Sequence, residues 1–397
     1  MPNQLDIKDL ELNALLEITQ AINNNLAEED LYRIYRFTLL ADLKVKRLAL
    51  YVKDENWDCK VHFGTDVNWG EVFLPQVFWN LEKIRPIQSE DGEQFQAFDQ
   101  VIPVSHKDRL LAVIFVDGVE AADVSSSSTF LRALTNIIIV AIENKKLARR
   151  QLQQEAYRKE LEIAKKVQNF LFPKELPQTH RLKIEAVYLP HQDVGGDYYD
   201  YLTIDNDRFL VCVADVSGKG VPAALLMSNF QASLRTLVRK TQDPEEIVRE
   251  LNHIITNSGN GENFITFFLG IYDFTEKTFE YVNCGHNPLY LVLKDDIIEL
   301  NDGTTILGMF DPLPFLETKK IENLSEFMFF GYTDGLTETF NTDDDQFGEE
   351  RLTAFFKNGI PEDINAFHTA LFKELDEFRS ETPYRDDITM LSCLVNN

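Results

Sequence analysis

Cysteine is scarce in this 397-residue chain, and its few copies are far apart. Cys59, Cys212, Cys284 and Cys393 show no C-x-x-C spacing, which argues against zinc-ribbon and thioredoxin-like motifs. Cys212 and Cys393 stand in apolar runs, where a buried, unreactive thiol is the ordinary outcome. So few scattered thiols do not make a disulfide framework and fit a reducing compartment. We therefore expect a cytoplasmic protein.

Positive charge is also in short supply. The chain has 39 Lys and Arg residues against 65 Asp and Glu residues, which gives a formal net charge of -26. Nucleic-acid binding needs clustered Lys and Arg to neutralise phosphates, so we expect no nucleic-acid partner. The same charge makes binding to anionic lipid unfavourable.

Long apolar runs are missing as well. The longest one, residues 110–116, is far too short to span a bilayer, and the first residues lack the basic and apolar regions of a signal peptide. We expect no membrane segment. Two common catalytic motifs are absent too, because the chain has neither G-x-S-x-G nor the spacing of a phosphate-binding P-loop.

Residues 1–145 have the pattern of one α/β domain. Helical periodicity up to about residue 45 precedes two strand pairs, at 47–63 and 101–116, and a helix follows from about 129. The order resembles a GAF-type sensory domain, with a PAS domain or a structural dimerisation module as alternatives. The segment between the strand pairs is irregular and aromatic. We predict that four of its side chains are core rather than a ligand cage: Trp69, Phe73, Phe78 and Trp79.

Residues 146–175 are predicted to be a helical linker. Apolar residues recur there at spacings of three to five, which is a weak heptad pattern. The positions are Leu147, Leu152, Ala156, Leu161, Ala164, Val167 and Leu171. We predict that this helix pairs with a second copy in a homodimer. The alternative is a solvated helix lying on its own domain.

Residues 176–397 are predicted to form an α+β domain with two packed sheets covered by helices. Strand-like runs are found at 184–189, 198–204, 209–214, 264–272, 278–282, 289–293, 326–332 and 388–395. Helical patterns occupy 221–239, 244–257, 349–357 and 361–379.

Aspartates recur in this region where apolar strands begin or end. Asp197 precedes one strand, Asp215 and Asp334 follow others, and the pair Asp386 and Asp387 precedes the last. A single aspartate at such a place is usually a turn residue. Several of them can meet at one rim, and all-oxygen ligands favour Mg²⁺ or Mn²⁺. No cluster of His or Cys competes as a ligand set, so zinc is disfavoured.

Five motifs in a fixed order give a family resemblance over residues 160–397. They are Val194-Gly195-Gly196-Asp197-Tyr198-Tyr199-Asp200, Ala214-Asp215-Val216-Ser217-Gly218-Lys219-Gly220-Val221-Pro222-Ala223-Ala224, Cys284-Gly285-His286-Asn287-Pro288, Tyr332-Thr333-Asp334-Gly335 and Asp386-Asp387-Ile388-Thr389. This set resembles the bacterial branch of the PPM-type (PP2C-like) serine/threonine phosphatases, which includes the sporulation stage II E and sigma-regulation phosphatases.

The resemblance implies an αββα sandwich that holds two Mn²⁺ or Mg²⁺ ions. In that alignment Asp215 bridges both ions and the Val216 carbonyl binds one of them. Asp334 and Asp386 each hold an ion. Asp197 acts at the first ion, either directly or through a water molecule. Asp387 is the alternative to Asp386 if the register is shifted by one. Residues 160–172 and the helix after Pro222 correspond to a regulatory switch in this family.

Three further features carry separate expectations. Ser217 stands where eukaryotic members have a His that is sometimes assigned as the general acid, so that role is unassigned here. We predict that His286 is structural and holds its loop by hydrogen bonds. Lys219 is a solvated turn residue or an aid to anion binding, and Thr342-Asp343-Asp344-Asp345 is predicted to be a solvated loop.

The resemblance predicts a metal-dependent protein serine/threonine phosphatase. Its implied substrate is a phosphorylated anti-anti-sigma (STAS-type) protein in a partner-switching pathway, with the N-terminal sensor in control. One alternative is a non-catalytic dimeric scaffold with a degenerate phosphatase fold. Another is a different two-metal enzyme, such as a nucleotide hydrolase or cyclase, although the phosphate-binding glycine loop is missing.

Overall fold

The computed structural model describes residues 4–41, 43–106, 109–117, 124–258 and 263–396. The chain separates into two compact units, Met1–Ala156 and Tyr157–Asn397. None of the helices in the described ranges is both long enough and apolar enough to cross a membrane. The helix and strand bounds below follow chain order.

The N-terminal unit contains a five-stranded antiparallel sheet with the strand order β2-β1-β5-β4-β3. Short 3₁₀ turns join β2 to β4 around the two-residue strand β3. The elements are α1 (Gln4–Asn23), α2 (Glu28–Ala41), β1 (Arg47–Lys53), β2 (Trp57–Phe63), β3 (Arg85–Pro86), β4 (Gln100–His106), β5 (Arg109–Asp117) and α3 (Val124–Asn169).

Strand β1 is apolar on both faces because both faces of the sheet are covered. Alternate side chains of a strand point to opposite faces, so Leu48 and Leu50 join the core with the helices. Ala49 and Tyr51 join a second core, which is built by the irregular segment between β2 and β4. The helix-side core includes a buried polar contact, in which the hydroxyls of Tyr35 and Thr135 lie 2.6 Å apart.

The second core is filled with aromatic rings. The indole of Trp69 lies 5.4 Å from the ring of Phe95 and 5.3 Å from that of Phe98, between ring centroids. Trp69 and Phe78 are fully buried, as predicted. The prediction was wrong for Phe73 and Trp79, which are 89% and 43% exposed, because other rings already fill the space beneath the sheet.

Helix α3 is a single helix of 46 residues. It ends at Asn169, within the predicted linker, because the backbone tightens there. The N–H groups of Phe170 and Leu171 donate to carbonyls three residues earlier, which is the 3₁₀ pattern common at helix ends. Several apolar side chains of this helix are more than half exposed: Leu147, Leu152, Tyr157, Ile163 and Val167.

The C-terminal unit contains two sheets and four helices after α3. Its elements are β6 (Leu182–Leu189), β7 (Tyr198–Thr203), β8 (Arg208–Val216), α4 (Val221–Leu237), α5 (Pro244–Ser258), β9 (Ile265–Asp273), β10 (Thr278–Cys284), β11 (Leu289–Val292), β12 (Ile297–Leu300), β13 (Gly303–Thr304), β14 (Lys319–Ile321), β15 (Glu326–Tyr332), α6 (Gly348–Ala354), α7 (Ile364–Arg379) and β16 (Ile388–Asn396).

One sheet has the order β13-β10-β9-β8-β7, with β14 paired to β10, and the other has the order β12-β11-β15-β16-β6. The sheets pack on each other, since the rings of Phe268 and Phe329 stack at 5.6 Å. Helix α4 covers the first sheet, where Phe230 meets Phe267 at 4.9 Å. Helix α7 covers the second, where the His368 imidazole lies 2.7 Å from the Ser392 hydroxyl.

Candidate metal centre

Strand pairing brings the predicted aspartates together in two pairs. In the first sheet Tyr198 of β7 is opposite Ala214 of β8, so Asp197 and Asp215 are at the same end of that hairpin. In the second sheet Tyr332 of β15 is opposite Met390 of β16. The same antiparallel geometry places Asp334 beside the start of β16.

The tight packing of Gly335 shows how close Asp334 lies to the aspartates before β16. A side chain at Gly335 would put its Cβ 2.0 Å from the Asp387 carbonyl oxygen and 3.3 Å from the Asp386 Cβ. Only glycine fits at this position, which explains the Asp-Gly dipeptide at the end of β15. Burial, followed by the charges of Glu338 and Asp386, raises the pKa of Asp334.

Asp197 is almost fully buried and is held by two threonines. The hydroxyls of Thr333 and Thr389 donate to its Oδ2 at 2.7 and 2.6 Å. Burial, and then the nearby charge of Asp215, raises the pKa of Asp197 well above its ordinary value. The two threonines were not predicted as site residues, although they stand inside the quoted motifs Tyr332-Thr333-Asp334-Gly335 and Asp386-Asp387-Ile388-Thr389.

Asp215 lies where the carboxylates converge. Burial, and then the charges of Asp334, Asp386 and Asp387 in that order of size, raise its pKa to about 7. Like charges at close range disfavour ionisation of each other unless a cation is present. The shift therefore shows that these side chains share one electrostatic site.

Asp386 and Asp387 have different surroundings. Asp387 accepts the backbone N–H of His191 at Oδ1 and that of Gly196 at Oδ2, at 2.7 and 2.8 Å. Asp386 accepts the Lys219 ammonium at 2.8 Å, and the same ammonium donates to the Arg385 carbonyl at 2.6 Å. Asp387 therefore fixes a loop, whereas Asp386 faces a cationic side chain.

The glycine pair before Asp197 lets its loop lie against the site. A Cβ on Gly195 would be 2.2 Å from Asp387 Oδ2, and one on Gly196 would be 2.8 Å from the Val216 carbonyl oxygen. The Val216 carbonyl thus lies next to the loop that leads to Asp197. The side chain of Gln168, near the end of α3, donates to the Gly195 carbonyl at 2.7 Å and accepts the Gly195 N–H at 3.3 Å.

Helix α4 is also tied to strand β7. The buried carboxylate of Asp200 accepts two hydrogen bonds from the Arg235 guanidinium, at 2.8 and 3.0 Å, and one from the Tyr198 hydroxyl. A paired, hydrogen-bonded carboxylate is the form in which a buried charge is tolerated. This network was not anticipated, because Arg235 lies 35 residues from Asp200 in the chain.

The prediction that His286 is structural is confirmed. Its Nδ1 lies 2.7 Å from the Thr266 hydroxyl, and its Nε2 lies 3.0 Å from the Tyr332 carbonyl oxygen. Burial lowers the pKa of His286 to about 4, so the ring is neutral near pH 7. Ser217, which stands where eukaryotic members have a His, accepts the backbone N–H of Phe264 at 2.9 Å. Residues 342–345 are exposed, and the prediction of a solvated loop is confirmed.

The donor set of this rim suits a hard divalent cation. Asp197, Asp215, Asp334 and Asp386 supply carboxylate oxygens, the donors that Mg²⁺ and Mn²⁺ prefer. Burial and the charges of neighbouring carboxylates raise the pKa values of the first three, and a bound divalent cation would offset both effects. In the described part of the chain, no three His, Cys, Asp or Glu side chains are grouped closely enough to form a ready metal cage. The residues fit the ions in chemistry, and closing the cage requires side-chain movement.

The fold of the C-terminal unit is that of the PP2C phosphatases. The structure aligns with the SiaA-PP2C domain of Pseudomonas aeruginosa with a TM-score of 0.56 and 22% identity, over 62% of this chain and 99% of that one.

Sequence comparison gives the family of this unit. Residues 205–396 match the family model described as Stage II sporulation protein E (SpoIIE). The phosphoserine phosphatase RsbU of Bacillus subtilis is 31% identical over 191 residues, 48% of this chain and 56% of RsbU. The protein IcfG of Synechocystis is 27% identical over 288 residues, 64% of this chain and 44% of IcfG. The C-terminal part of the chain is therefore a SpoIIE-type domain homologous to RsbU. The chain spans about half the length of these curated relatives.

Proposed function

We propose that this protein is a metal-dependent protein serine/threonine phosphatase. The observation that carries the proposal is the meeting of Asp197, Asp215, Asp334 and Asp386 at one rim of a SpoIIE-type domain, with their charges coupled through Asp215. The αββα sandwich of the family belongs to the same proposal. It is supported by the packing of the two sheets on each other and by helices on both of them.

In this proposal Asp215 bridges two Mn²⁺ or Mg²⁺ ions, and the Val216 carbonyl binds one of them. Asp334 and Asp386 each hold an ion, and Asp197 acts at the first ion directly or through water. The surroundings favour Asp386 over Asp387 as the ligand. Asp387 is held by two backbone N–H groups of a loop, whereas one oxygen of Asp386 accepts the exposed Lys219 side chain, which can move away from it.

When bound, two such ions lower the pKa of a shared water and neutralise a phosphoryl group under attack. The chain's own residues orient this site. Thr333 and Thr389 fix the Asp197 carboxylate, and Lys219 holds Asp386 from the solvent side. His286 is not proposed as the general acid, because both ring nitrogens are engaged in a buried loop.

The proposed substrate is a phosphoserine or phosphothreonine in a protein of the STAS type, in a partner-switching pathway. Support comes from the homology to RsbU, the phosphoserine phosphatase of Bacillus subtilis. We further propose that residues 1–145 form a GAF-like sensory domain, that 146–175 form a linker and that 176–397 form the phosphatase domain. The four free cysteines, three of them buried, suit the proposed cytoplasmic location.

Phosphate release by wild type and Asp215→Asn tests the activity. With Mn²⁺ and either p-nitrophenyl phosphate or a phosphorylated STAS protein, we expect release by wild type and a loss of about 100-fold or more in the variant, because a bridging charge is removed. Lys8→Gln, an exposed position of α1 in the N-terminal unit, is the control and should keep wild-type activity. Equal release by wild type and Asp215→Asn would contradict the proposal.

Calorimetric titration with Mn²⁺ separates an enzyme from a degenerate scaffold. A phosphatase should bind Mn²⁺ tightly in wild type and weakly in Asp215→Asn. A scaffold with a phosphatase fold should give no tight binding in either protein.

A further inference from the structure

A cavity lies in the N-terminal unit. It has a volume of about 820 Å³, within the usual size range of small-molecule sites. The start of α2, strand β2 and helix α3 contribute its walls. The lining residues are Ala27, Glu28, Glu29, Tyr32, Arg33, Arg36, Lys60, Val61, His62 and Arg149.

The charge of this cavity is opposite to that of the whole chain. Four Lys or Arg side chains line it against two Glu, whereas the chain carries 39 Lys and Arg against 65 Asp and Glu. The four cations are Arg33, Arg36, Lys60 and Arg149, which come from three separate elements. A local surplus of positive charge in an acidic protein attracts anions and raises their local concentration.

The cations are largely available to a ligand. In the described part of the chain, Arg36 and Arg149 make no ion pair. Arg33 pairs with Asp30 at 3.1 Å and Lys60 pairs with Asp58 at 3.0 Å, and both pairs are partly or largely solvent-exposed and therefore weak. On the acidic side, the Glu28 carboxylate already faces the Lys146 ammonium at 3.4 Å, which offsets its charge.

A buried hydroxyl in the same cavity lacks a hydrogen bond. Tyr32 is 8% exposed, and its hydroxyl has no partner with hydrogen-bond geometry in the described chain, although the Glu28 carboxylate is close enough for its charge to act on the hydroxyl. Leaving such a group unpaired is costly, so it is a site where a ligand atom gains binding energy. Burial, and then the charge of Glu28, raises the pKa of Tyr32, so the hydroxyl keeps its proton and can donate it.

The opposite face of the sheet is packed with aromatic side chains. The face beneath the irregular segment is filled by the packed rings around Trp69. The cavity on the helix side of the sheet has both the volume and the cationic side chains that an anionic ligand needs.

We propose that this cavity binds a small organic molecule that carries a di- or triphosphate. Guanidinium groups pair with phosphate oxygens through two parallel hydrogen bonds, and Arg33, Arg36 and Arg149 supply three of them. The cavity is larger than a diphosphate requires. The apolar surfaces of Ala27, Val61 and the Tyr32 ring leave room for an organic group attached to the phosphates.

Calorimetry on the full chain in EDTA tests the proposal, because the chelator keeps divalent cations away from the C-terminal rim. We expect ATP to bind at concentrations below about 1 mM, pyrophosphate to bind more weakly, and adenosine not to bind. Arg36→Gln combined with Arg149→Gln should weaken ATP binding by about tenfold or more, because two charge-assisted pairs are lost.

The matched control is Lys8→Gln combined with Arg132→Gln, which removes two exposed charges of the same unit from outside the cavity. It should bind ATP as wild type does. All three proteins should melt at the same temperature, since the substituted side chains are exposed. The proposal is overturned if wild type does not bind ATP, if adenosine binds as tightly as ATP, or if the cavity variant and the control weaken ATP binding equally.

Discussion

The two neighbouring aspartates before β16 show how position within a motif separates binding from folding. Asp387 holds the loop of His191 and Gly196 through two backbone N–H groups, whereas Asp386 holds only Lys219 and the Asp387 N–H. A hydrogen bond to a charged group contributes about 1.5–3 kcal/mol to stability. The two carboxylates should therefore differ in what their loss affects.

We expect Asp387→Asn to lower the free energy of unfolding by about 2 kcal/mol, because an amide is a weaker and less symmetric acceptor for two N–H groups. Asp386→Asn should leave stability near wild type in EDTA and should weaken Mn²⁺ binding. Urea unfolding in EDTA and calorimetry with Mn²⁺ measure the two effects. If Asp386→Asn destabilised the apo protein more than Asp387→Asn, this assignment of their roles would be wrong.

Asp215 gives the apo protein a specific pH dependence. Its pKa in the folded state is about 7, above the ordinary value of 3.8, so folding favours the protonated carboxyl. The stability linked to this group is fully present below about pH 4 and is lost as pH rises through about 7. In EDTA, stability should therefore fall between pH 5 and pH 8 because of Asp215, by about 2 kcal/mol.

Asp215→Asn should remove most of that decline, and Mn²⁺ should remove it in wild type, because a bound cation favours the ionised carboxylate. Melting temperatures in EDTA at a series of pH values measure the effect. Asp205→Asn, an exposed aspartate in the turn before β8, is the control and should keep the decline. If the melting temperature fell equally with pH in wild type and in Asp215→Asn, Asp215 would not be the cause of the pH dependence.

Among the elements, helix α3 exposes apolar side chains that the fold of a single chain does not explain. Its exposed apolar side chains include Leu147 and Leu152, at 52% and 65% exposure, on a helix whose sequence shows a weak heptad. Apolar side chains repeated along one helix are the usual basis of helix pairing. This supports the proposed homodimer, in which a second copy of α3 covers them.

We expect Leu147→Lys combined with Leu152→Lys to convert a dimer to a monomer, because two charges would be buried at the seam. Light scattering after size-exclusion chromatography at about 10–50 μM gives the mass. The control is Gln153→Lys, an exposed position of the same helix on the side away from both leucines, which should stay dimeric. A monomeric wild type, or a dimer that survives both substitutions, would contradict the pairing.

The longer elements were predictable because each has enough residues for its periodicity to be visible. Strand β8 and helix α4 match the predicted ranges closely. Strands β13 and β14 have two and three residues and were missed. A strand that short has no readable alternation and exists only because β10 offers it a partner.

At the scale of the whole molecule, long-range pairing decides which site residues the sequence reveals. The aspartates were predictable because each stands at the end of its own apolar strand. Thr333 and Thr389 were not, because they meet Asp197 across 136 and 192 residues. The basic cavity was missed for the same reason, since Arg36, Lys60 and Arg149 are separated in sequence by a strand and most of the sheet.

The aromatic packing around Trp69 also has a spectroscopic consequence. All three tryptophans of the chain, Trp57, Trp69 and Trp79, fall in the N-terminal unit, and only Trp69 is fully buried. Excitation of indole therefore reports on one unit of this protein and leaves the other silent. The emission of Trp69 can follow unfolding of the N-terminal unit in the intact chain, while metal titrations of the other unit proceed without an indole signal of their own.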